Sequence, residues 1–214
     1  MSISRRQYIE QIRRQIYGGQ PSSDAEITVN LVNQWLNQAV AFAARQNYTD
    51  NLKLEGVAYI NNGFYSTFKG LSVSKDENFL WKVILPEMPV GLGTSDGVST
   101  VVFKDSTGKI SYPVVMMSES QKSFQRGMRD IPNKLLGYQE GNNIYVLSTI
   151  LLSQYTVSAT IVSAGLSTDL DSAMNVPTDY IPVISEYLQK QFMLQRNVVV
   201  DEKADGIDNG GKTL

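Results

Sequence analysis

The stretch VSTVVFKDSTGKISYPVVMM, residues 98–117, decides the fold class. Residues 98–104 and 109–117 read as two strands joined across Asp105-Ser106-Thr107-Gly108, a turn signal between two apolar runs. The same period-two pattern extends on both sides, over residues 54–162. Upstream, residues 57–60 and 64–68 read as strands joined by Asn61-Asn62-Gly63, because Asn and Gly tolerate positive φ. Residues 79–85 form a buried strand that Pro86 ends. Downstream, residues 135–139 and 143–148 pair across Glu140-Gly141-Asn142, and residues 154–163 close the region. Seven or eight short strands with regular turns predict an antiparallel sandwich or small barrel. Residues 118–128 interrupt the pattern and read as a short inserted helix.

Helical patterns flank this region. Ser2 or Ser4 caps a first helix ending at Tyr17, with Ile9, Ile12 and Ile16 on one stripe. Gly18-Gly19-Gln20-Pro21 turns the chain. Ser23 and Glu26 have capping-box spacing and predict a second helix over residues 24–46. A third helix is expected over residues 179–197, with Pro177 and Pro182 near its first turn, where a missing N–H costs little. The resulting fold class is α+β. A helical hairpin (residues 1–52) and a C-terminal helix (166–200) form a small bundle, a β domain (53–165) is inserted, and residues 201–214 form an extended tail.

Composition narrows the chemistry. The chain has 214 residues, no Cys and no His. It therefore lacks the ligands of zinc fingers and iron–sulfur clusters, and the His of a Ser-His-Asp triad. No cofactor or metal is expected, and any enzyme built on this chain must work with carboxylates, Lys, Tyr or Ser alone. Lys and Arg total 19 and Asp and Glu total 21, a formal charge of −2. That balance is unlike a dedicated phosphate binder. The N-terminal residues lack the apolar core of a secretory signal, and no apolar run approaches the roughly 20 residues that cross a bilayer. No membrane partner is expected.

The candidate sites are surfaces rather than reaction centres. Arg5, Arg6, Arg13 and Arg14 give the first helix a basic face, either solvated or docked on an acidic partner. Residues 86–94 form an apolar loop in which Met88, Val90 and Leu92 either pack on their own domain or contact a neighbouring subunit. Asp201, Asp205 and Leu214 belong to a polar, Gly-rich tail, which is a solvated end or a partner-binding arm. Asp169 and Asp171 could share a cation but also suit a polar loop. The acids of the β region, Glu87 among them, have no spacing that brings two into one cleft.

Two motifs carry a resemblance. One is the helix start Asn175-Val176-Pro177-Thr178-Asp179-Tyr180-Ile181-Pro182, leading to Tyr187-Leu188, Gln195-Arg196, Asp201 and Ala204-Asp205-Gly206. The other is the preceding hairpin Tyr138-Gln139-Glu140-Gly141-Asn142-Asn143-Ile144-Tyr145. With the order of short helices, β module and late helix, the chain resembles the head-to-tail connector proteins of tailed bacteriophages, particularly the ring proteins of crAss-like phages. The resemblance implies a non-enzymatic virion protein of the neck or tail, made in the host cytoplasm. It implies a homododecameric ring beneath the portal that binds portal and adjacent tail or ring proteins and lets genomic DNA pass during ejection. Terminal segments would reach onto the portal or the next ring. Two rival readings are a monomeric β-sandwich binding module for glycan or protein, and a carboxylate-dependent cell-wall hydrolase.

Overall fold

A computed structural model describes residues 4–19, 27–77, 80–92, 97–118, 121, 134–148, 150–164, 170–171, 173–174 and 176–196. It is α+β: N-terminal helices, an eight-stranded barrel-like sheet and a C-terminal helix.

Helix α1 (Arg5–Tyr17) starts at a capping box. Ser4 accepts from the Gln7 amide while the Gln7 side chain accepts from the Ser4 amide, so orphan N–H groups are satisfied reciprocally. Gly18 ends it in the left-handed region. Helix α2 (Val29–Glu55) is capped by Thr28. It starts later and ends nine residues later than the sequence predicts; the Ser23–Glu26 box lies outside the described residues. Helix α3 (Ile181–Arg196) follows a 3-10 turn, Thr178–Tyr180, that Pro177 introduces.

The helices alternate in direction. Arg5 reaches Asn33 and Asn37, whereas the Tyr17 hydroxyl accepts from the Ile27 amide, so α1 runs antiparallel to α2. Asn47 meets Tyr180 and Phe42 meets Tyr187, so α3 also runs antiparallel to α2. Ile9, Ile12, Val32, Leu36, Ile184 and Leu188 centre this core.

The strands are β1 (Tyr65–Leu71), β2 (Val73–Lys75), β3 (Trp81–Ile84), β4 (Val98–Lys104), β5 (Ser111–Met116), β6 (Leu135–Glu140), β7 (Asn143–Leu147) and β8 (Thr156–Val162). Their order is β1-β8-β4-β5-β6-β7-β3-β2. The two edge strands, β1 and β2, are separated along the chain by Ser72 alone. A flat eight-stranded sheet would hold its edges about 33 Å apart, at about 4.7 Å per strand. One residue cannot span that, so the sheet must roll. Two corners do the rolling. Gly70, at φ 70°, sits in a register shift that bends β1 into β2. Strand β5 pairs with β4 through Ser111–Pro113 and with β6 from Val114 onward. Alternate residues point inward: Trp81 and Val83, Val101 and Phe103, Ile144 and Val146, and Val157, Ala159 and Ile161.

Three expectations are corrected. Residues 57–60 are extended but join no strand, and Asn62–Phe64 forms a 3-10 turn instead of a hairpin. The sheet is not wholly antiparallel, because β5 and β6 pair in parallel. A parallel pair needs a crossover rather than a tight turn. Residues 117–134 supply it, and most of the predicted 118–128 helix there lies outside the described residues.

Candidate interaction surfaces

The four arginines do not share one basic face. Arg5 is buried at 4% exposure, and its guanidinium donates to Asn33 Oδ1 at 2.9 Å and to Asn37 Oδ1. Burial pulls its pKa below the usual arginine value, and the charge of Glu87 offsets part of that. Arg5 is thus an internal tie between α1 and α2, unavailable to a partner. Arg6 is exposed and forks onto Asp171, at 2.7 Å to Oδ1 and 3.3 Å to Oδ2. That contact, ahead of Coulomb attraction alone, holds the Asp171 carboxyl below its ordinary range. The Arg6 backbone N–H also donates to Leu170 O at 2.7 Å. Asp171 thus pairs with Arg6, and Asp169, its companion in the cation reading, lies outside the described residues. Arg13 is half-buried, with a buried Nε that has no hydrogen-bond partner among the described residues. Arg14 is exposed and lines a shallow groove with Gln7, Glu10, Gln11 and Gln15.

The apolar loop divides in the same way. Val90 and Leu92 are buried in the helical core, a correction to their place among the interface candidates: they pack within their own chain, on the bundle instead of on the β domain. The Val90 amide donates to Val162 O at 2.9 Å, Pro89 bridges Ser163, and Arg45 Nε donates to Gly91 O at 3.0 Å. These bonds hold the loop as a clamp between sheet and bundle. Of Met88, Val90 and Leu92, Met88 alone is exposed. Beside it, the Ser163 hydroxyl donates to Glu87 Oε2. Burial pushes the Glu87 carboxyl up, and Arg5 pulls it partly back. Asp201, Asp205 and Leu214 lie outside the described residues.

Sequence reasoning missed two apolar surfaces. The last turns of α2 and the following loop expose Leu52, Leu54, Val57 and Tyr59. The signal was present: apolar residues continue after the buried stripe of α2, whose last buried member is Tyr48. The second surface comprises Tyr17, Met193 and Leu194, where α1 and α3 end. Tyr17 packs edge-on against Phe192, which brings those two helix ends together.

No group of three or more acidic residues able to hold a metal occurs among the described residues. None of the described helices is long and apolar enough to cross a membrane. No family model matches the chain, and no curated protein matches it.

Proposed function

We propose that this chain is a structural component of a tailed-phage neck, a head-to-tail connector that forms a homo-oligomeric ring and lets DNA pass. The reading assigns it no catalytic role. It places the chain in the virion, in contact with portal and adjacent tail or ring proteins. The observation that carries it is the architecture: both flanks of the chain build one helical bundle, and a β module is inserted between them. The motif resemblance at residues 138–145 and 175–182 implies that same layout.

Physical considerations support a ring. A contact repeated around an axis uses two different patches on each copy and closes when the rotation is right. The chain exposes two distinct apolar surfaces. A formal charge of −2 suits a conduit through which DNA slides, since a strongly basic lumen would bind phosphates by counterion release.

Imaging by negative stain, with the portal ring from the same genome mixed in, tests the proposal. A coaxial ring added beneath the portal is expected. A monomeric chain and an unchanged portal would count against the connector and favour a binding module.

A further inference from the structure

We infer that the two apolar ends of the helical bundle are the two halves of one contact between copies of this chain. The end of α2 on one copy would seat against the α1 and α3 ends of the next. This inference rests on the ring reading and deepens it by naming the surfaces.

Geometry separates the two surfaces. Helix α2 has 27 residues and is about 40 Å long at 1.5 Å per residue. Leu54 stands at its C-terminal end, while Tyr17 reaches the Ile27 amide just before its start. The surfaces thus lie at opposite ends of the bundle, too far apart to cover one another within one copy. Both are substantial. Leu54 is 83% and Val57 59% exposed at one end, and Met193 is 62% and Leu194 63% exposed at the other. Large apolar side chains left exposed at a helix end are candidates for a contact site.

Charge pairs the two ends. Asp50 lies one turn before Leu54 and Glu55 directly follows it, with Lys53 between them, for a local net charge of −1. Arg13 and Arg14 lie one turn before Tyr17, with Glu10 one turn before Arg14, for a local +1, and neither arginine has a carboxylate partner among the described residues. Like ends would repel, whereas unlike ends attract and fix a head-to-tail orientation. Such a contact is heterologous and propagates around an axis.

The chain contains no Cys, so introduced thiols report contacts without background. Full-length Leu54→Cys, Met193→Cys and the double variant are oxidised at high protein concentration, alone and with the portal ring. The double variant is expected to give a ladder of covalent oligomers, with each single variant more than tenfold poorer in cross-linked product. An efficient dimer from Leu54→Cys alone would indicate a two-fold contact and overturn the inference. So would absence of a ladder in both settings. Rings on the portal without a ladder would sink these surfaces and leave the connector standing. A ladder without any portal complex would sink the connector and leave the surfaces standing. Charge reversal supplies an independent readout: Arg13→Glu with Arg14→Glu is expected to cut ladder formation several-fold, and adding Asp50→Arg with Glu55→Arg to restore it. Failure of the restoration would overturn the electrostatic pairing.

Discussion

Gly97 shows how one residue can set the junction between sheet and bundle. Its φ is 70°, and a Cβ there would stand 2.1 Å from the Val90 carbonyl oxygen. Its own carbonyl accepts from Val162 at 2.7 Å, so neither backbone can retreat without breaking the clamp. Gly97→Ala is expected to cost about 2–4 kcal/mol, combining left-handed strain with a backbone collision. Gly70 is the control. It has the same φ but nothing within 4 Å of a Cβ, so Gly70→Ala should cost only about 1–2 kcal/mol. Urea titration of both variants measures the difference, and equal losses would refute the clamp. Glu87 belongs at this scale too. Its carboxyl is raised by burial, so the folded state prefers it protonated. Its contribution is then fully present below the unfolded value of about 4.3 and is lost as pH rises through the higher folded value. At pH 7 the ionised group is a net liability, despite Arg5. Glu87→Gln should raise the melting temperature at pH 7 by about 1–2 °C, kept small by solvent at this half-buried site. The gain should vanish below about pH 4. A variant that melts lower at pH 7 would mean that the attraction to Arg5 outweighs burial.

Elements were legible in the sequence where local pattern and tertiary demand agree. Strand β7 alternates throughout and β4 from Val101 onward, next to glycine turns, and Gly108 and Gly141 do take positive φ there. Reading failed where distant partners decide. The C-terminal part of α2 contains Asn47, Tyr48, Thr49, Asp50 and Asn51, all modest helix formers. What supports it is Asn47, buried at 2%, which accepts from the Asn61 amide and donates to the Tyr180 hydroxyl, both at 2.9 Å. Tyr180 lies 133 residues away, beyond any local window. The same bonds explain why residues 57–60 look like a strand without being one. Asn61 is tied to the helix, and a Cβ on Gly63 would approach Pro177 to 2.9 Å, so the segment runs between helices instead of into a hairpin. Three of the candidate residues, Arg5, Val90 and Leu92, turn inward for a related reason. Arg5 and Arg6 are neighbours in sequence, yet about 100° of helical rotation turns one into the core and leaves the other on Asp171. Val90 and Leu92 are too apolar for a free loop, and their cover is the helical core rather than another subunit.

At the scale of the whole molecule, two cores must melt either together or apart. One gathers the helices and the other lines the sheet. Their boundary runs between adjacent residues of β8: Ile161 belongs to the sheet core and Val162 to the helical core. The loop after β3 crosses the same boundary with Val90 and Leu92. A strand cannot leave one core without disturbing the other, so the two should unfold as a single cooperative unit. The chain provides its own probes, since Trp35 sits in the helical core and Trp81 in the sheet core. In Trp81→Phe the remaining fluorescence reports the helices, and in Trp35→Phe it reports the sheet. After correction for the stability cost of each replacement, fluorescence and far-ultraviolet circular dichroism should give coincident thermal transitions in both variants. Leu92→Ala, placed in each background, should lose about 2–5 kcal/mol, the usual range for a deleted buried leucine. It should lower the two tryptophan transitions by the same amount, although Leu92 belongs to the helical core. A shift confined to Trp35 would mean that the sheet folds as an independent unit, and that the clamp at residues 86–92 tethers two modules without coupling their stability.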